Sequence, residues 1–382
     1  MPGFRIQERE FEAPLDPREG NGFVVKSVPR PYRVELCASR APAETVAAQV
    51  AAARHPLLMC DRKVAALHLK DREELHAVPS YLLEAREENK QLATVLQVIE
   101  FLEHNRATRG SMLFVIGGGI VQDVAAFAAC MYKRGMPWTF VPTTLLAQGD
   151  SGIGAKAALN HARTKNLLGL FSAPRKVVMD VGFLRSLVEA DRLSGLGEIF
   201  RLHVTGGREF IASFEREFPE ARTGSERALQ QLLAGALSVK RAVIEVDEYE
   251  VDLRRALNYG HSFGHALEAM VEYRVPHGIA VTIGMLVENE IALRKGILGS
   301  EDRDLMKRIG KLLVPADSRA ELSRVRLDGL LELLRRDKKT EGSALKLVVP
   351  QAPGRIRFID LELDSQALDL VGGCVQAVVD GL

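Results

Sequence analysis

The stretch Met112–Pro142, MLFVIGGGIVQDVAAFAACMYKRGMPWTFVP, decides the fold. It opens with a short apolar, β-branched run that suits a buried strand and ends in Gly117, Gly118 and Gly119. IVQDVAAFAACMYKRG follows with helical character and closes on basic residues and a glycine, as helix ends do. WTFVP then reads as the next strand. Strand, glycine turn, helix, strand is a βαβ unit, which predicts a parallel sheet with right-handed crossovers. The glycine turn itself admits two readings. Its amides and the helix N-terminus, with Asp123 in the first turn, suit a pyrophosphate, or the glycines serve only a tight connection. The spacing is not GxGxxG, so the dinucleotide fingerprint is not met.

Upstream, RVELCA and PLLMCD look like strands, and Ser80–His104 reads as a helix from the spacing of Leu92, Val95, Leu96, Val98, Ile99 and Leu102. Residues 1–30 are polar and carry several prolines, so an extended arm is expected there. Downstream of Asp180 the pattern changes. Arg185–Val204, Ser225–Val246, Asn258–Tyr273, Ala280–Lys295 and Leu327–Arg336 carry helical periodicity, with VRL and ALKLVVP as the extended pieces. The expected division is an arm (1–30), an α/β nucleotide-binding domain with a parallel sheet (31–184) and a mostly α-helical domain (185–382).

Bulk properties exclude several function classes. The 382 residues include 51 basic and 50 acidic side chains, so no global field draws the chain to nucleic acid or an anionic membrane. No apolar run approaches the roughly 20 residues of a membrane span. The start, MPGFRIQEREFEAP, is charged and has no apolar core of a secretory signal. The four cysteines lack CxxC spacing, and Cys60 and Cys130 sit in apolar runs, which reads as buried thiols of a reduced compartment. A cytoplasmic protein is expected.

Two further stretches carry chemistry. In LNYGHSFGHALE, Leu257–Glu268, His261 and His265 lie four residues apart and face the same way on a helix. His277 follows, and Glu198 in SGLGEIFR adds a carboxylate. Such a set can bind a divalent metal with a position left open. An isolated histidine pair of this spacing is also common on solvated helix faces. Ser262 stands where a zincin needs its glutamate base, which argues against a hydrolase of that type. The second stretch, PTTLLAQGDSGIGAK, offers Thr143, Thr144, Asp150, two glycines and Lys156, with Lys165 and Asn166 soon after. Hydroxyls and glycine amides can line a nucleotide, and the lysines can neutralise a phosphate. A solvated loop is the plainer alternative.

GGGIVQDVAAFAACMYKRG, PTTLLAQGDSGIGAK, KNLLG, GLGEI and LNYGHSFGHALE with His277-Gly278 resemble, in order and spacing, the dehydroquinate synthase family. These are NAD-dependent sugar-phosphate cyclases, including those that make cyclitols from sedoheptulose 7-phosphate. The likeness covers roughly residues 85–340. It implies a Zn²⁺ or Co²⁺ site of Glu198, His261 and His277, with His265 as a phosphate contact and proton carrier. It implies NAD held by Gly118, Gly119, Asp123, Thr143 and Thr144, with Lys156 and Lys165 nearby and Asp61, Glu87 and Lys90 at the adenosine end. Substrate groups fall to Asp150, Lys156, Asn166, Lys240, Arg254, Asn258 and Lys339. Arg134 matches an arginine that family members supply across a homodimer interface. The implied reaction eliminates phosphate from a C7 ketose phosphate and closes a carbocycle, with NAD regenerated in each turnover.

Two residues depart from the family pattern. Arg201 replaces a lysine, and a guanidinium is longer, planar and never deprotonated. Ile279 replaces a common glutamate, which is expected to cost His277 a supporting partner. In the resemblance Arg254 falls where dehydroquinate synthases bind the substrate carboxylate, onto which a guanidinium can fork, and this favours 3-dehydroquinate synthesis. A sedoheptulose 7-phosphate cyclase is the alternative. A polyol dehydrogenase of the glycerol dehydrogenase type is the rival from another class.

Overall fold

The computed structural model describes residues 1–162, 164–322, 325, 327–336, 340–341 and 344–382. The chain divides into two compact units.

One unit comprises Pro17–Leu187 and Gly224–Gln230. Its seven-stranded sheet runs in the order Gly22–Val25, Tyr32–Cys37, Lys176–Asp180, Trp138–Pro142, Met112–Gly117, Pro56–Asp61, Ser80–Leu83. All neighbours pair in parallel except the first two. The central strands are buried along nearly their whole length, which is why they read as unbroken apolar runs. The helix Gly119–Met131 links two adjacent strands as the βαβ reading requires. A two-stranded antiparallel hairpin, Lys156–His161 with Thr164–Phe171, stands apart from this sheet.

The other unit comprises Met1–Asp16, Val188–Thr223 and Gln231–Leu382. The helix His277–Arg294 is buried over most of its length and packs against Glu189–Gly206, His261–Met270, Ser300–Leu312 and Ser365–Gly381. A five-stranded sheet completes the unit, ordered Thr340–Glu341, Ala344–Ala352, Arg355–Glu362, Gly3–Ile6, Arg9–Glu12. A mostly parallel α/β unit and a mostly helical one are the expected fold class.

Several local expectations need correction. The first thirty residues, read as an arm, hold three strands, two of them in the sheet with Arg355–Glu362. Phe4, Ile6 and Phe11 are buried there, and their alternation with charged residues is a strand pattern. Ser80–Leu83 is a strand, and the helix starts only at Leu92. Of VRL, Arg326 lies outside the described residues, Val325 is in no strand and Leu327 opens a helix. Cys130 is exposed in the last turn of its helix.

Candidate metal centre and cofactor site

Glu198, His261 and His277 lie on three helices of the same unit, and small residues let those helices approach. A Cβ on Gly278 would stand 1.9 Å from the Ser194 carbonyl oxygen, and one on Gly197 would stand 2.3 Å from that of Gly278. Neither clash can be relieved by a side-chain rotation, so the Glu198 and His277 helices cross at glycine. Gly260, with φ +82°, turns the chain into the His261 helix, and its amide donates to Glu288 at 2.6 Å. Tyr259 beside it bonds Asn289. His261 therefore opens its helix from a braced turn.

The side chains converge. Glu198 Oε1 lies 3.5 Å from His261 Nε2 and 3.3 Å from His277 Nε2. Donors about 2.1 Å from a tetrahedral Zn²⁺ sit about 3.4 Å apart, so this spacing fits one cation. The Oε1 atom is buried and makes no hydrogen bond of normal geometry. A buried carboxylate oxygen left in that state is costly in a protein without a ligand there. The three imidazoles also bring ligand nitrogens within 4.8 Å of one another, with His265 the exposed member.

Electrostatics prepare the donors. Burial alone would raise Glu198, but Arg201, His261 and His277 outweigh it and hold the carboxyl well below its usual range. Burial holds His261 well below its ordinary value, with Glu198 opposing. An ionised carboxylate and a neutral imidazole are the forms that donate to a metal. Burial lowers His277, yet the neighbouring carboxylates of Glu198 and Glu268 raise it to about 10. His277 is thus a strong base whose Nε2 proton a cation would displace.

Sequence reasoning missed Glu268. Its Oε2 lies 3.0 Å from His277 Nδ1, which fixes the ring and leaves Nε2 turned to Glu198. The expected loss of a supporting partner at Ile279 is therefore corrected: the carboxylate comes from the His261 helix. The signal was present, since His261, His265 and Glu268 form one stripe at i, i+4 and i+7.

In the same unit, Lys240 and Arg254 are buried and Asn258 is half-buried. Arg254 Nη1 donates to the Glu248 carbonyl, and Asn258 Nδ2 donates to Glu250 Oε1 at 2.6 Å. Asp247 shapes the loop by accepting from the Val251, Asp252 and Arg254 amides. Arg201 is 1% exposed and donates from Nε to Glu198 Oε2 at 2.7 Å. Lys339 lies outside the described residues.

The α/β unit holds the predicted cofactor residues in two groups. At the glycine turn, a Cβ on Gly118 would stand 3.1 Å from Thr144 Cγ2, so the turn leaves a backbone-lined space beside that side chain. Gly119 opens the helix, Thr143 Oγ1 is buried without a hydrogen bond, and Thr144 Oγ1 accepts from the Ala147 amide. A glycine cradle at a helix N-terminus with an unsatisfied hydroxyl fits a pyrophosphate-bearing cofactor. Asp150 lies in the turn Ala147–Ser151, and Lys156 opens the hairpin.

The second group is already paired. Lys90 Nζ lies 2.6 Å from Asp123 Oδ2 and donates to Asn166 Oδ1 at 2.7 Å. Asp123 Oδ1 accepts from the Ala158 amide at 3.1 Å. Burial raises the Asp123 carboxyl above its usual range, with Lys90 pulling the other way. Glu87 Oε1 accepts from Asn160 and sits 3.7 Å from Lys165 Nζ. Asp61 caps the turn after its strand through the Lys63 and Val64 amides. Arg134 is exposed on a turn where Lys133, Arg134 and Gly135 all have positive φ (50°, 63° and 113°).

Residues 80–194 match the family profile described as 3-dehydroquinate synthase N-terminal, and residues 195–340 match 3-dehydroquinate synthase C-terminal. The 3-dehydroquinate synthase of Geobacter metallireducens is 37% identical over 75% of this chain and 79% of its own. Among solved structures, 2-deoxy-scyllo-inosose synthase complexed with carbaglucose-6-phosphate, NAD⁺ and Co²⁺ superposes with a TM-score of 0.77 at 22% identity, covering 94% of this chain and all of the other. ValA, the 2-epi-5-epi-valiolone synthase of Streptomyces hygroscopicus with NAD⁺ and Zn²⁺ bound, gives 0.76 at 23% identity, covering 91% and 97%. The chain belongs to the 3-dehydroquinate synthase family.

Proposed function

We propose that this protein is a 3-dehydroquinate synthase that uses NAD and a divalent cation, Zn²⁺ or Co²⁺. The observation that carries the metal half of this reading is Glu198 Oε1, buried without a hydrogen bond of normal geometry and 3.3–3.5 Å from two imidazole nitrogens. When bound, the cation supplies charge to substrate oxygens, and NAD accepts and returns a hydride. We assign the metal to Glu198, His261 and His277, and His265, the exposed imidazole, to proton transfer near the substrate phosphate. Gly118, Gly119, Thr143 and Thr144 take the NAD pyrophosphate end. Asp123, Lys90 and Glu87 hold the hairpin that carries Lys156, Lys165 and Asn166. Asp61 is assigned to the adenosine end.

The substrate is a multiply anionic C7 sugar phosphate, and Lys156, Asn166, Lys240, Arg254, Asn258 and Lys339 are assigned to its phosphate, carboxylate and hydroxyls. Asp150 is assigned to the same substrate. Arg254 is buried and donates from Nη1 to the Glu248 carbonyl, and a guanidinium can fork onto a substrate carboxylate bidentately. We further propose a homodimer, in which the left-handed turn at Lys133–Gly135 presents Arg134 outward to a partner. Among the described residues no helix is long and apolar enough to cross a membrane. The four free cysteines are consistent with a reducing, cytoplasmic setting.

One assay decides the reaction. Inorganic phosphate release is measured with 3-deoxy-arabino-heptulosonate 7-phosphate and with sedoheptulose 7-phosphate, while NADH absorbance is followed. The expected result is phosphate from the acidic substrate with no net NADH. Release only from the neutral sugar would assign a cyclitol-forming cyclase, and accumulating NADH would assign a dehydrogenase.

A further inference from the structure

Arg201 is among the largest fully buried side chains of the molecule, and its charge faces the metal carboxylate. Its Nε donates to Glu198 Oε2 at 2.7 Å, while Nη1 donates to the Leu257 carbonyl at 2.6 Å. The first contact occupies one oxygen of the carboxylate. The other oxygen, Oε1, is the one that faces His261 and His277. The second contact reaches the segment Leu253–Asn258, which leads through Tyr259 and Gly260 into the His261 helix. His261 Nδ1 in turn lies 3.3 Å from the Tyr259 carbonyl. One rigid guanidinium plane therefore ties the Glu198 helix to the chain that presents His261.

We propose that Arg201 is a positioning residue that restricts Glu198 to a single metal-facing oxygen and so sets the coordination number of the bound cation. The proposal rests on the metal-centre reading and goes beyond it. A carboxylate free at both oxygens can bind a cation through both, adding one ligand atom. A carboxylate whose second oxygen is held at 2.7 Å by a buried guanidinium cannot turn without breaking that bond and stranding a buried charge. The planar fork matters as well as the charge. A lysine ammonium is a point donor on a flexible stem and does not fix the Glu198 and Leu257 contacts in one plane.

The test uses the full chain loaded with Co²⁺, whose visible d–d bands weaken as coordination number rises. Wild-type protein should show the intense bands of a four- or five-coordinate ion. Its metal-loaded crystal structure should place only Oε1 of Glu198 on the cation. Arg201→Lys keeps the charge but loses the fork, and it should weaken Co²⁺ binding by about ten- to a hundredfold, as outer-shell changes do, and reduce band intensity. Wild-type spectrum and affinity in Arg201→Lys would overturn the proposal, as would both Glu198 oxygens on the cation in the wild-type structure. The wild-type structure decides the matter even if the variant fails to fold. A cation bound elsewhere, with none at Glu198, would overturn the metal-centre reading and this inference together.

Discussion

The histidine centre and the Lys90–Asp123 cluster are both dense in buried charge, yet they differ in what their polar atoms lack. Around Lys90 the groups find partners in the protein: Asp123 has an ammonium and an amide, and Asn166 has the same ammonium. Around Glu198 one carboxylate oxygen is unsatisfied, and two imidazole nitrogens face it. A cluster whose polar atoms are all partnered needs no ligand to account for it, whereas a buried atom left without one calls for an explanation. Residue type alone does not separate the two. Both regions drew functional readings from their Lys, Asp, Glu and His content, and the difference lies in hydrogen-bond accounting.

The sharpest way to break the comparison is Glu198→Ala. It removes the donor with the unmet valence, so bound metal measured by elemental analysis should fall to background. Turnover should drop about a thousandfold or more, since charge stabilisation by the cation is worth several kcal/mol. Retained activity in a metal-free preparation would end the metal reading.

Lys90→Met probes the other side. The pair is mostly buried, with 12% and 16% of the two side chains exposed. Stranding Asp123 should cost about 3 kcal/mol of stability, read as a lower urea midpoint without any cofactor present. A normal midpoint with weakened NAD binding would instead make Lys90 a ligand group, and the contrast between the regions would collapse.

Glu268→Gln comes next. It keeps the shape but loses the charge that fixes His277, so Zn²⁺ affinity should fall by about ten- to a hundredfold while the fold survives. Unchanged affinity in a competition titration would show that the His277 ring is held by packing alone.

These contrasts also explain what was legible in the sequence. Met112–Pro142 announced its strands because a parallel sheet covered on both faces needs uninterrupted apolar runs. Ser80–Leu83 was absorbed into a helix because its leucines satisfy either period over so short a span. Lys156–Phe171 drew no strand reading because the second strand of the hairpin is largely exposed and lacks an apolar face. Glu198, His261 and His277 were recognisable by type and motif, but their convergence depends on helix crossings at Gly197 and Gly278 that no periodicity reveals. Glu268 and the Arg201–Glu198 bond belong to the same class. They depend on distances between helices, and a one-dimensional pattern carries none.

The smallest expected effect concerns His203, a third kind of buried polar group, five residues beyond Glu198 on the same helix. Its ring packs edge-on to Phe210 and Phe214, Nδ1 bonds the Ile199 carbonyl at 2.8 Å, and Nε2 has no partner. Burial lowers its pKa to about 4. The unfolded chain therefore binds a proton below roughly 6.5 that the folded chain refuses until about 4, so stability declines as pH falls through that window. His203→Gln removes this titration. Between pH 7 and pH 5.5 the wild type should lose about 1 kcal/mol more than the variant in paired urea unfolding curves. Parallel pH dependences would mean that the ring is charged, or hydrated, in the native state. His203 would then belong with the groups that await a partner, and an orphaned atom beside Glu198 would no longer by itself mark a binding site.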